Sequence, residues 1–162
     1  MFIISRCLLG CHCKYNGGHN RSERVLDFAS CHSCLSVCPE TRAELPSPRP
    51  PAEHQQGERL RILDREGKDL TEDFVRGAEL SYRDVLEEAA KRGEVVEGAI
   101  LKANSPSCGA GMIYDGTFSG TKIPGNGVFA EMLIKAGIPV RTEKDEAFDF
   151  PPAASENPDE TK

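Results

Sequence analysis

Short apolar runs broken by polar turns set the rhythm of this chain. Phe2-Ile3-Ile4 is β-prone and ends in polar Ser5-Arg6, and Leu35-Ser36-Val37 and Gly98-Ala99-Ile100-Leu101 read the same way. These three runs are the predicted parallel strands.

Between the last two lies a strongly periodic segment. Phe74, Ala78, Tyr82, Val85 and Ala89 fall on one helical face, Thr71 stands at the expected N-cap, and Gly93 follows the end. A second helix is predicted from about Val128 to Ala136, with Val128, Phe129, Met132, Leu133 and Ala136 apolar and Gly137 as the stop. Ser22 to Ala29 reads as a short helix after the first strand, and Ile138-Pro139-Val140 as a last, edge-like strand. Strand–helix alternation of this kind predicts an α/β fold: one layered domain with a small, mainly parallel, Rossmann-like sheet flanked by helices.

Two segments break the pattern. Leu45–Pro51 holds four prolines and reads either as a linker or as a rigid packed loop. Residues 143–162, with Pro, Glu, Asp and Ser crowded after Phe150, read as an acidic, disordered tail beyond a domain of residues 1–142. No internal repeat is visible.

Charge changes the picture only locally. The net charge is −6, but residues 143–162 carry seven acids against Lys144 and Lys162, so the body is near neutral at −1. A near-neutral body argues against a general polyanion-binding field and leaves only a local basic mouth around Arg6, Lys14, Arg21 and Arg24. A small-molecule partner fits this balance better than nucleic acid. At 162 residues and 38% apolar content, one buried core needs no disulfides. The seven cysteines are an odd number, and Met1–Gly10 is too short for an export signal, so Leu8-Leu9-Gly10-Cys11 is a chance match to a lipoprotein box. No apolar run approaches a membrane span. The expectation is a cytoplasmic protein whose clustered thiols serve metal or redox chemistry.

The thiols are where the pattern and the chemistry meet. In open α/β sheets ligands bind at the carboxyl ends of strands. Cys7 follows the first predicted strand, Cys38 the second, and Cys108 closes the loop that leaves the third. Free cysteine is commonly just a small buried residue. Here, however, the three lie in Gly- and Pro-containing loops: Cys7-Leu-Leu-Gly10, Cys38-Pro39 and Cys108-Gly109. Thiolates suit zinc and iron–sulfur centres, four usually saturate a cube-shaped cluster, and three would leave one metal position open for substrate. Glu40, two residues past Cys38, is a candidate acid–base group, and Ser105, three before Cys108, a candidate substrate contact or a turn-forming hydroxyl. Gly109-Ala-Gly111 and Gly125-Asn-Gly127 read as turns.

Other groupings compete. Cys7-x3-Cys11-x-Cys13 and Cys31-x2-Cys34-x3-Cys38 could each form a local cluster, and with His12, His19 and His32 nearby these thiols could instead build a zinc site of Cys/His type. A zinc- or cluster-binding structural or redox module without turnover is therefore the rival reading. A thioredoxin-like role for Cys31-x2-Cys34 is disfavoured, because the strand follows the pair instead of preceding it.

Six blocks in order carry a resemblance: Ser5-x-Cys-Leu-Leu-Gly10, Tyr15-Asn-Gly-Gly18, Val37-Cys-Pro-Glu40, Pro48-Arg-Pro-Pro-Ala-Glu53, Ser105-Pro-Ser-Cys-Gly109 and Tyr114-Asp-Gly-Thr-Phe-Ser-Gly120. From about Ile3 to Thr142 the chain resembles the thiouracil desulfidases. The resemblance implies a [4Fe–4S] cluster on Cys7, Cys38 and Cys108 with the fourth iron open, and catalytic roles for Glu40 and Ser105. It implies hydrolytic replacement of sulfur by oxygen on a thiolated nucleobase or nucleoside, with sulfide released and the iron acting as Lewis acid. Thiolated RNA finds no supporting motif, and neither the particular base nor the oligomeric state is legible. Two departures stand out: Asn16 where the family commonly has Asp, and Cys11, Cys31 and Cys34 as additions to the pattern.

Overall fold

In a computed structural model the chain is described over residues 1–153. The elements run β1 (Phe2–Ser5), a 3₁₀ turn (Arg6–Leu9), α1 (Glu23–Cys31), β2 (Cys34–Val37), α2 (Pro39–Arg42), β3 (Ala52–His54), β4 (Ile62–Asp64), α3 (Thr71–Arg92), β5 (Gly98–Leu101), β6 (Met112–Tyr114), β7 (Lys122–Pro124), α4 (Val128–Lys135) and β8 (Val140–Thr142).

Four strands form one wholly parallel sheet in the order β2-β1-β5-β8. Every residue of β1 and of β5 is buried, as expected for central strands covered on both faces. Alternation along β1 and β5 sorts the two layers. Ile3, Ala99 and Leu101 pack with Val85, Ala89, Phe129 and Leu133 of α3 and α4, whereas Ile4 and Ile100 pack with Leu8 and Val25 on the α1 side. The result is a three-layer α/β/α domain of the predicted class.

The predicted elements are present with shifted ends. Thr71 is the first helical residue of α3 and Leu70 the cap. The Thr71 hydroxyl is taken up by Asp69 Oδ1 at 2.6 Å and by the Ile62 amide at 2.9 Å, so it ties β4 to the helix start. Gly93 closes α3 in the left-handed conformation at φ 64°. Ala136 is exposed and belongs to the cap of α4. The last strand forms at the sheet edge but begins only after Pro139, which has no amide hydrogen to give the ladder.

Two antiparallel ribbons, β3-β4 and β6-β7, were not foreseen. Their strands are three residues each, too short to show a period of two. The expected boundary at residue 142 also falls inside packed chain. Glu143 pairs with Lys102 at 2.8 Å, and Phe148 and Phe150 join the α1 cluster, Phe150 lying 5.0 Å from the Phe2 ring. These aromatics outweigh the acidic composition of the segment. The remainder of the predicted tail, residues 154–162, lies outside the described residues. No helix among the described residues is long and apolar enough to cross a membrane.

Candidate functional site

Loops leaving the carboxyl ends of β1, β2 and β5 wall a cavity of about 570 Å³. Its lining includes Cys7, Cys38 and Cys108 together with Glu40 and Ser105, so all five predicted site residues come to one place. This is the strand edge at which α/β sheets bind ligands.

Each loop is held by its own physical device. Cys7 sits in the 3₁₀ turn after β1, anchored by fully buried Leu8 and closed by Gly10 at φ 97°. The Asn20 amide nitrogen lies 3.5 Å from the Cys7 sulfur. Cys38 is the residue before α2, and the Thr41 hydroxyl donates to its sulfur at 3.2 Å. α2 approaches α3 so closely that a Cβ on Gly77 would overlap the Pro39 carbonyl.

The loop after β5 is clasped by α4. The amides of Gly127, Val128 and Phe129 donate to the carbonyls of Gly109, Pro106 and Ser107 at 2.7, 3.0 and 2.8 Å. A Cβ at Gly127 would collide with the Ser107 backbone. The Gly125-Asn-Gly127 segment is thus more than a turn: it is the clasp on the Cys108 loop. From the other side His54 on β3 donates Nε2–H to the Pro106 carbonyl at 2.8 Å. Burial keeps this imidazole below the usual histidine range, and therefore neutral at pH 7.

Within the cavity wall Ser105 Oγ accepts the amides of Ser107 and Cys108, both at 3.1 Å. It is a turn-forming hydroxyl, and its own proton is left to donate elsewhere. Glu40 pairs with Arg49 at 3.0 Å, with the two side chains 18% and 6% exposed. Burial raises the Glu40 carboxyl above the ordinary range, Arg49 opposes the rise, and the Cys38 charge adds to it. The proline-rich stretch is accordingly a packed loop that delivers Arg49 to the site, and no linker. Glu53, 7% exposed on β3, accepts the Phe118 amide at 2.9 Å and fixes the Tyr114–Gly120 loop over the opening.

Sequence reasoning grouped Cys13 with Cys7 and Cys11 as a possible local cluster but left it out of the predicted site. It lines the same cavity, is 7% exposed, and its thiol acts on those of Cys7 and Cys38. That influence is the largest of those lowering the Cys38 thiol to about 5, helped by Thr41 and Arg49 against the cost of burial. It likewise lowers Cys7, while Cys13 itself is raised. Cys108 is raised by burial, with Ser5 pulling the other way. The signal available in sequence was the position of Cys13, two residues before Tyr15-Asn-Gly-Gly18.

Other expectations need correction. Of the four cations expected at the mouth, Arg6 and Lys14 line the cavity, joined by Arg65 and Lys102. Arg21 instead pairs with Glu23 at 2.8 Å, and Arg24 lies over the Phe148 ring and bonds the carbonyls of Asp145 and Glu146. Asn16 caps the Gly18 amide at 2.9 Å in an exposed turn and is not part of the lining. Cys11 and Cys31 are exposed, and Cys31 and Cys34 stand at the amino edge of the sheet. His32 is engaged, stacked 3.9 Å from the Phe28 ring.

Among the described residues no three His, Cys, Asp or Glu side chains converge as ligands of a single metal ion. The zinc site read from Cys31, Cys34 and the histidines therefore lacks an assembled donor set. The cavity thiols are spread around a space instead of meeting at a point. That arrangement, and the softness of sulfur donors, fits a multi-atom iron–sulfur cluster better than one ion.

Comparison with known proteins agrees with the geometry. A family model described as 2-thiouracil desulfurase matches residues 2–145. The chain is 38% identical over 154 residues to the uncharacterized protein YbbK of Bacillus subtilis (strain 168), covering 90% of this chain and 97% of that one. A solved structure, the [4Fe–4S]-dependent thiouracil desulfidase TudS, superposes with a TM-score of 0.73 at 39% identity, covering 88% of this chain and 89% of that one.

Proposed function

This chain belongs to the 2-thiouracil desulfurase family, and from that premise we propose that it is a [4Fe–4S]-dependent desulfidase of thiolated nucleobases or nucleosides. The observation that carries the reading is the meeting of Cys7, Cys38 and Cys108 with Glu40 and Ser105 in one cavity at the carboxyl edge of the sheet. The reaction exchanges the C=S of the base for C=O, consuming one water and releasing one hydrogen sulfide, with no net oxidation or reduction.

Cys7, Cys38 and Cys108 would hold the cluster, and the depressed Cys38 thiol supports it as a ready thiolate donor. When bound, the cluster supplies an iron without a protein thiolate from this trio, a Lewis acid that polarises the thione. The protein does the rest. Glu40, raised by burial and held by Arg49, moves protons among the attacking water, the ring and the departing sulfur. Ser105, its oxygen fixed by two amides, directs its remaining proton to the base. Tyr114 and Phe118 in the cavity wall offer flat apolar surface to a pyrimidine and exclude bulk water. Seven free thiols and a sulfur-ligated cluster suit the reducing cytoplasm.

The test is turnover of 2-thiouracil by anaerobically reconstituted protein, following uracil and sulfide. Glu40→Gln should keep cluster content and lose turnover by about 10²–10⁴-fold. Unchanged sulfide release in that variant would remove Glu40 from the mechanism.

A further inference from the structure

Asparagine enters the left-handed region more readily than most residues, because its short side chain can bond the nearby backbone. Asn104 holds that conformation at φ 64° without any such bond. Elsewhere among the described residues asparagine carboxamides are engaged. Asn16 accepts the Gly18 amide at 2.9 Å, Asn20 Nδ2 lies 3.5 Å from the Cys7 sulfur, and Asn126 accepts the Gly111 amide at 2.8 Å while donating to Glu131 at 2.7 Å. The Asn104 carboxamide makes no hydrogen bond among the described residues, and Asn104 lines the cavity directly before Ser105.

The backbone shows why this side chain is left over. Asn104 forms an isolated parallel bridge with Ile113 of β6, which is 6% exposed, and Tyr114, next along β6, lines the same cavity. On the other side the turn is shut. The Gly109 amide donates to the Ser105 carbonyl at 2.8 Å, and a Cβ on Gly109 would stand 2.7 Å from that oxygen and 3.1 Å from the Asn104 carbonyl carbon. Main-chain contacts therefore fix Asn104 from two directions, and its carboxamide has no part in fixing it. An uncommon backbone conformation imposed by the surroundings, with an idle polar side chain at a cavity wall, is a position suited to recognition.

Most other polar groups of the wall are committed. Glu40 pairs with Arg49, Glu53 accepts the Phe118 amide, Lys102 pairs with Glu143, and the Ser105 oxygen accepts two amides. Arg6, Lys14 and Arg65 can only donate, and a tyrosine hydroxyl carries donor and acceptor on one oxygen. A carboxamide offers a donor and an acceptor side by side. The imide edge of a pyrimidine offers the complement, a ring N–H beside a carbonyl. We propose that Asn104 is the residue that reads the base, its oxygen accepting the ring N–H and its nitrogen donating to the carbonyl that is not exchanged. The inference rests on the desulfidase reading of the same cavity and narrows its substrates to thiopyrimidines that keep a carbonyl next to the ring N–H. Both the 2-thio and the 4-thio isomers of uracil carry that edge, so Asn104 selects the ring and not the position of the sulfur.

The test uses anaerobically reconstituted full-length protein and two variants. Asn104→Gly removes the carboxamide and leaves φ 64° unstrained, and Asn104→Asp keeps the acceptor and loses the donor. The first readout is calorimetric binding of uracil, which carries the same edge and needs neither turnover nor a sulfur on the base. Asn104→Gly should bind it roughly 10–100-fold more weakly, as for the loss of a bidentate base contact. The second readout is kcat/KM for 2-thiouracil against pyrimidine-2-thione, which keeps the thione and the ring N–H and lacks the carbonyl. Wild type should favour 2-thiouracil by a similar factor, and Asn104→Gly should bring the ratio close to one, mainly through KM. Unchanged uracil affinity and an unchanged ratio in Asn104→Gly would overturn the proposal. Asn104→Asp should lose uracil affinity at least as far, because a carboxylate would face the base carbonyl, and wild-type affinity there would overturn the proposal even if the glycine variant did not fold. Absence of sulfide release from any thiopyrimidine by wild type would instead defeat the desulfidase reading, while the uracil titration would still judge Asn104.

Discussion

The two edges of one parallel sheet carry the same residue type in opposite circumstances. At the amino edge Cys31 is exposed and Cys34 begins β2, its thiol raised by burial. At the carboxyl edge Cys38 directly follows that same strand, lowered to about 5 by Cys13, Thr41 and Arg49. Three residues of extended chain separate Cys34 from Cys38, so four steps carry them a rise of roughly 13 Å apart. Cys31-x2-Cys34-x3-Cys38 looks like one cluster on paper, and the strand pulls it apart. Local spacing identifies a metal site only when the intervening backbone is a turn.

Breaking that contrast gives the largest expected effect. Cys7→Ala, Cys38→Ala and Cys108→Ala should each reduce bound iron and labile sulfide to background, whereas Cys31→Ala and Cys34→Ala should leave both at the wild-type level. Metal and sulfide analysis of the five reconstituted variants checks this, and a loss confined to Cys31 and Cys34 would reverse the assignment of the edges.

A subtler break moves the carboxyl edge without touching a ligand. Gly77→Ala adds a methyl where α2 presses on α3, against the Pro39 carbonyl. It should cost about 1–3 kcal/mol by overpacking and shift the loop bearing Cys38 and Glu40. Chemical denaturation measures the first effect and the rate of sulfide release the second. An equivalent glycine-to-alanine change at Gly67, where an added Cβ meets nothing, provides the control for space, though its φ of 88° brings its own strain.

His54 tests the far support of the Cys108 loop. Its folded-state value lies below the ordinary 6.5, so its contribution to stability is complete above that value and is lost as pH falls through the lower, folded one. His54→Gln should therefore flatten the decline of the melting temperature on the acid side of 6.5 and cost about 1 kcal/mol at neutral pH through the Pro106 contact. A melting series across pH, wild type against variant, reads both.

The smallest effect is expected at Asn16. Its side-chain oxygen accepts the Gly18 amide, which an aspartate oxygen would do equally well. Asn16→Asp should change stability by less than about 0.5 kcal/mol and leave sulfide release unaltered. The departure from the family's usual residue is then a turn preference, and a large gain in activity would contradict this.

Much of this was legible in the sequence. The strands β1 and β5 announced themselves because central parallel strands are continuous apolar runs, the edge strand β2 through its short Leu35-Ser36-Val37 run, and α3 and α4 because their apolar faces repeat at helical period. Cysteines placed after three such strands were enough to predict a shared edge. What stayed hidden depended on contacts distant in sequence. Arg49 reaches Glu40 only because the proline loop folds back, α4 clasps the Cys108 loop through glycines that resemble ordinary turns, and Phe148 and Phe150 order a segment whose composition reads as tail. Cys13 was hidden for a different reason: it shares its loop with Cys11, and spacing does not say which of two neighbouring thiols turns inward.

The most direct test of the central claim is iron, labile sulfide and zinc per chain after anaerobic purification and cluster reconstitution. About four irons and four sulfides, as a cubane cluster requires, is the result predicted by the thiol-lined cavity. Stoichiometric zinc without labile sulfide would contradict it.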